Sequence, residues 1–145
     1  MRRAIPFLLL ALVPLACNRG SAPAVVTGPK STPGWEVRYN AAIALARRGS
    51  PSVFDNRVKE SILEMLDEDQ QMRNFRETID GKEITDAGKA QLTVITAVQA
   101  LADLHSRKPE VDLSPFKPAI DKLVNSPSLA VSTEAKKTQL LLASK

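Results

Sequence analysis

Along residues 35–142 the apolar side chains return every three or four positions, in runs broken by glycine and proline. That spacing places them on one face of a helix, so the chain has to bury a series of helical stripes against one another. Val37, Ala41, Ala42, Leu45 and Ala46 form the first stripe. Thr32 and Pro33 suit its start, Arg47 and Arg48 suit its last turn, and Gly49 followed by Pro51 stops it. Phe54, Val58, Ile62, Met65 and Leu66 form a second stripe, with Ser50-Pro51 and Asp55 as alternative starts. Asp86 caps a longer third helix, expected over 87–106, whose stripe is Val94, Val98, Leu101 and His105. Ser114-Pro115 opens a fourth with Phe116, Ile120, Leu123 and Val124, in which Pro118 either removes a backbone bond or moves the start later. Asn125-Ser126-Pro127 breaks it, and a fifth helix is expected over 128–142.

The stripes repeat. Ala44-Leu45-Ala46 returns as Ala100-Leu101-Ala102, and Val58-Lys59, Ile62 and Leu66 return as Phe116-Lys117, Ile120 and Val124. The second interval is slightly longer, and the excess falls in the turn at residues 107–112. Short helix pairs with such self-similarity predict an all-α fold, a short α-solenoid of about five helices in antiparallel pairs, with the fifth covering the open end.

Residues 68–85 depart from this pattern. Asp80-Gly81 is a strong two-residue hairpin signal between Phe75-Arg76-Glu77-Thr78-Ile79 and Lys82-Glu83-Ile84-Thr85. A small β-hairpin or ordered loop is expected around 74–85, inserted between helix pairs. Arg73, Phe75, Arg76 and Lys82 there make the best candidate for a partner-binding patch, with a plain solvated rim as the alternative. Trp35 and Tyr39, one turn apart, are expected to seal the first helix against the core.

The first residues form a different unit. Arg2 and Arg3 precede an apolar run over 4–16 that is far shorter than the roughly 20 residues needed to span a bilayer. A basic start followed by such a run is the pattern of an export signal. The sole cysteine, Cys17, ends the run after Leu15 and Ala16. This segment resembles a bacterial lipoprotein signal, in which cleavage falls just before a lipidated cysteine. Pro14 stands where that pattern has leucine or another apolar or small residue. The alternative is cleavage after Ala24, at Ala22-Pro23-Ala24, which discards Cys17 and leaves a soluble periplasmic chain. Residues 17–34, rich in Gly, Pro, Ser and Thr, are expected to act as a flexible tether reaching about 25 Å as a coil. The expected organisation is thus 1–16 export signal, 17–34 lipid-anchored tether and 35–145 helical domain.

Val37-Arg38, Ala41-Ala42 and Ala44-Leu45-Ala46, closed by Gly49, resemble the first helix of a HEAT repeat. The likeness covers residues 35–67 well and 87–142 more loosely, since the Val-Arg pair is absent there and His105 stands where Gly49 would. The whole chain is similar to small HEAT-like lipoproteins of planctomycete-type bacteria. The resemblance implies a non-enzymatic scaffold or adaptor that binds another envelope protein.

Composition removes other classes. One Cys and one His allow no intramolecular disulfide and no Cys/His zinc site. His105 has Asp103 and Ser106 near it in sequence, but neighbours one and two apart on a helix do not face one another, so no triad forms locally. Asp67-Glu68-Asp69 lacks the alternating oxygens and the glycine of a calcium loop and reads as a solvated helix end. The chain's formal charge of +4 invites a nucleic-acid reading. Yet four of the 20 Lys and Arg residues (Arg2, Arg3, Arg19 and Lys30) precede residue 35, while all 16 Asp and Glu follow it. The domain holds 16 residues of each sign, and its balance gives no support to an electrostatic nucleic-acid surface. No cofactor, metal or catalytic residue is expected. The rival readings are a small envelope hydrolase or lyase using Asp/Glu chemistry, and a purely structural spacer.

Overall fold

The computed structural model describes residues 34–144, which are mostly helical with one small antiparallel sheet. Helix α1 spans Trp35–Arg48 and starts after Gly34, at φ 135°, with no side-chain cap. The expected Thr32–Pro33 start, the export signal, the tether and Cys17 lie outside the described residues. Gly49 ends α1 in the left-handed conformation, φ 69°. Its N–H donates to the Ala46 carbonyl at 2.9 Å and that of Ser50 to Leu45 at 3.0 Å, the paired bonds of a Schellman cap. A β-carbon on Gly49 would be strained at this φ and would press on the Lys108 side chain at 3.0 Å, so glycine is favoured there.

Both expected starts of the second helix are used. Ser50 caps a 3-10 turn, Pro51–Phe54, and α2 then runs Asn56–Met65 after Asp55. A sixth helix, α3 (Glu68–Asn74), occupies ground expected to be loop. It has no apolar stripe, because the one residue it buries is Gln71. Its start is instead fixed by Asp67, whose carboxylate accepts from the Asp69 N–H at 3.0 Å and the Gln70 N–H at 3.2 Å. Glu68 and Asp69 then face the positive end of the helix dipole. The acidic trio therefore begins a helix rather than ending one.

Strands β1 (Arg76–Ile79) and β2 (Lys82–Thr85) form the expected hairpin. Arg76 pairs with Thr85, Glu77 with Ile84, Thr78 with Glu83 and Ile79 with Lys82. Asp80 and Gly81, at φ 51° and 74°, make the turn in the doubly positive conformation that matches strand twist. Phe75 belongs to the end of α3 and not to the strand.

Helix α4 (Ala87–Arg107) is capped by Asp86, which accepts from the Lys89 N–H at 3.0 Å. A 3-10 turn, Ser114–Phe116, leads into α5 (Lys117–Leu123). Pro118 falls in the first turn of α5, where an N–H would have no helical partner, so it costs no bond. Helix α6 spans Leu129–Ala143.

Helix α4 is the common wall. Its buried face, including Val94, Val98, Leu101 and Leu104, packs most extensively on α6 and α1, and also meets α3 and α2. Ile62, Phe116, Ile120, Leu123 and Val131 complete the core. Arg107 donates to the Arg47 carbonyl at 2.7 Å and Arg47 pairs with Asp103 at 3.8 Å, so α1 and α4 share their C-terminal ends. Their N-terminal ends meet where Trp35 and Leu92 line one groove. Ser128 lies beside Ala90 and Val94, and Leu142 beside His105, so α6 runs the same way as α4. Against these three parallel helices, α2 is antiparallel to α1, held by Arg38–Glu64 at 3.3 Å. Helix α5 is antiparallel to α6, held by Gln139–Asp121 at 2.7 Å.

The face that α1 turns inward differs from the expected one. Tyr39, Ala42, Ile43 and Ala46 are buried, while Val37 is 72% exposed and Ala41 and Ala44 face solvent. Tyr39 and Ile43, one turn apart and larger than the alanines, gain more by burial and set the rotation of the helix. Three substitutions separate these positions by unfolding in urea. Phe116→Ala is expected to cost about 3–5 kcal/mol through its cavity. Gly49→Ala is expected to cost about 1 kcal/mol or more through strain at positive φ. Val37→Lys is expected to stay within about 0.5 kcal/mol of the parent.

Candidate functional site

Where the start of α1 meets the end of α3 there is an aromatic corner. Trp35 packs edge-on to Tyr39 and to Phe75, with ring centroids 5.1 Å apart in both pairs. Phe75 is placed there by two bonds. Its N–H donates to Gln71 at 3.1 Å, and its carbonyl accepts from the Asp86 N–H at 3.0 Å, which closes the hairpin at its base.

Beneath the rings lies a polar network. The Tyr39 hydroxyl accepts from Gln71 Nε2 and Asn74 Nδ2, each at 3.1 Å. Gln71 Nε2 also donates to the Glu64 carbonyl at 2.7 Å, which fixes the orientation of the amide. Asn74 in turn accepts from Gln70 at 2.8 Å, and Gln70 accepts from Arg73 at 2.9 Å. A chain of bonds thus runs from the surface at Arg73 to a phenol at 3% exposure. Burial is the main reason that the Tyr39 hydroxyl is pushed up to about 12; the nearby Glu64 carboxylate adds to it, while the bonds from Gln71 and Asn74 oppose it.

Beside this corner, between α1 and α4, is a groove of about 230 Å³ walled by Trp35, Ile43, Phe75 and Leu92, with Asn40 and Thr96 as polar lining. Glu36 is its one charged lining residue. Such a lining suits an apolar side chain with a hydrogen-bonding neighbour.

Of the four residues of the expected patch, Arg73, Phe75 and Arg76 lie at or next to this corner and Lys82 lies at the other end of the hairpin. Arg73 is exposed and anchors the network. Phe75 is half-buried and turned to Trp35. Arg76 pairs with Glu83 across the hairpin at 3.4 Å, and Lys82 is exposed near the turn. They do not present one uninterrupted cationic and aromatic face. Of the HEAT-like positions, Ala42 is buried, Leu45 half-buried, Gly49 caps the helix, and Val37, Arg38, Ala41 and Ala44 face outward.

Two further cavities flank α4. One, of about 400 Å³, is lined by His105, Glu110, Asp112, Ser114 and Lys117. His105 Nδ1 is buried without a hydrogen-bond partner among the described residues, and Asp112 accepts from the Ser114 N–H and hydroxyl. The other, of about 390 Å³, lies between Met72, Ala90 and Pro127. Among the described residues no group of three or more His, Cys, Asp or Glu could hold a metal ion. None of the described helices is long and apolar enough to cross a membrane.

Comparison with known proteins gives no match to a family model, a curated protein or a solved structure.

Gln71, Asn74 and Leu92 escape sequence reasoning because a single buried amide and a single exposed leucine create no periodicity. Tyr39 is the chain's one tyrosine, so its ionisation is readable directly by tyrosinate absorbance. The folded chain should titrate near 12 and the urea-unfolded chain near 10.0. The sign follows from linkage: a raised folded-state value favours the native state below the unfolded value, and that contribution disappears as pH rises from 10.0 toward about 12. Gln71→Leu should move the folded titration and lower stability by about 1–3 kcal/mol, since the Tyr39 hydroxyl and the Glu64 carbonyl each lose a buried donor.

Proposed function

We propose that this chain is an exported, lipid-anchored helical-repeat module of the bacterial envelope, which binds another envelope protein and carries out no chemistry of its own. The observation that carries this reading is the layer of three parallel helices, α1, α4 and α6, with α2 and α5 antiparallel beside it. In a HEAT-like solenoid, α1 with α2 is one repeat, α4 with α5 the next, and α6 opens a third. The contacts of α2 on α4 and of α5 on α6 support that scheme, because the second helix of each repeat leans on the first of the next, whereas α5 does not pack extensively on α4 as α2 does on α1. Helix α3 and the hairpin are then an insertion between repeats, where loops gather on one face and serve binding. The Val37, Arg38, Ala41, Ala42, Ala44, Leu45 and Gly49 pattern supports the same assignment.

The membrane address rests on Arg2, Arg3, the apolar run and Cys17. Several acyl chains on Cys17 would hold the module stably, at about 0.8 kcal/mol for each buried methylene. The partner surface in this reading is the hairpin base, where Arg73 and Arg76 stand on either side of Phe75 in the chain and Phe75 and Leu92 wall the groove.

Two measurements separate the parts of this reading. Mass spectrometry of the mature chain should find an acylated Cys17 at the N-terminus; a start at Val25 refutes the anchor. Crosslinked pull-down from envelope extracts should capture one protein with the parent chain. The Leu92→Arg variant, and separately the Arg73→Ala/Arg76→Ala variant, should lose it. Equal capture by all three refutes the assigned surface.

A further inference from the structure

The two faces of the hairpin are chemically unlike. Alternation along the strands puts Arg76, Thr78, Glu83 and Thr85 on one face. There the two charged residues are joined by the Arg76–Glu83 pair at 3.4 Å, with threonines on the other diagonal. The opposite face holds Glu77, Ile79, Lys82 and Ile84. Ile79 and Ile84 are each 50% exposed, and among the described residues neither Glu77 nor Lys82 makes an ion pair. None of the helices packs extensively on the hairpin, whose residues other than Thr85 are exposed. A two-stranded hairpin alone in water is marginally stable and gains from a second layer.

The layout of that face is self-complementary. The register sets Ile79 opposite Lys82 and Glu77 opposite Ile84, so the isoleucines occupy one diagonal of a square and the charges the other. A two-fold axis lying along the isoleucine diagonal places each isoleucine on its own counterpart. The same operation places Glu77 on the partner's Lys82, and Lys82 on the partner's Glu77. The strands of the two copies then cross steeply, toward the orthogonal way in which sheets pack. A two-fold contact of this kind needs one patch that complements itself, with opposite charges meeting.

We infer that the Glu77, Ile79, Lys82 and Ile84 face of the hairpin is a self-association surface through which two copies of this chain pair face to face. Four side chains per copy bury far less than the roughly 800 Å² per partner of a stable dimer, so the pairing is weak and follows concentration. This surface is separate from the partner surface at the hairpin base, and it does not depend on the lipid anchor.

The test uses the full chain, as an equal mixture of isotopically heavy and light protein at concentrations up to about 1 mM. Carbodiimide joins a carboxylate to an adjacent amine without a spacer. A Glu77–Lys82 product containing one heavy and one light peptide is the expected result. Products formed only within one chain, or none, overturn the inference. Sedimentation of variants supplies an independent readout. Glu77→Lys should weaken pairing by about tenfold, because two lysines then face each other. Adding Lys82→Glu to that variant should restore the parental value, and Thr78→Lys on the opposite face should leave it unchanged. Helical circular dichroism verifies that each variant is folded. A monomer at every concentration, or a double swap that fails to restore pairing in a folded chain, overturns the inference.

Discussion

Nearly everything in this domain rests on one helix that has to be covered on several sides. Helix α4 buries Ala90, Val94, Ala97, Val98, Ala100, Leu101 and Leu104. Those positions wrap around more of the helix than one neighbour can cover. Helices α1 and α6 flank it and α3 closes its N-terminal half. The alanines allow close approach, and the valines and leucines fill the space between axes. Because α1, α4 and α6 all run the same way, their connections must return across the domain, and α2 and α5 are those returns.

The polar network around Tyr39 is the second constraint. Helix α3 has too little apolar surface to hold itself in place. Gln71 and Asn74 attach it to α1 and α2 through the phenol and the Glu64 carbonyl. That attachment sets Phe75 against Trp35 and aims the hairpin away from the helices. A buried amide with Oε1 unpaired among the described residues is costly, so the geometry persists because the surrounding packing enforces it. The groove and the exposed hairpin faces are consequences of this arrangement.

Two surfaces are left uncovered by these elements. The hairpin base offers a small groove with aromatic walls, and the hairpin itself offers a face whose charges make no ion pair among the described residues. The groove lies between α1 and α4 with Phe75 at its edge, and the open face belongs to the hairpin alone.

Much of the frame was legible in the amino-acid sequence because periodicity, caps and turn residues are local. The long helix after Asp86, the stop at Gly49, the Asp80-Gly81 turn and the near-neutral charge of the domain all come from single residues or short spacings. Tertiary structure alone decided which way α1 faces, since its alanines line both sides and the choice belonged to Tyr39 and Ile43 packing on α4. It also decided that residues 68–74 are helical, because Asp67 and the dipole supply what an apolar stripe would otherwise provide. The corner that joins Trp35, Tyr39, Gln71 and Phe75 was equally out of reach, since its contacts span more than thirty positions and leave no local pattern. Local chemistry thus determined the elements, and the competition among buried surfaces determined how they meet.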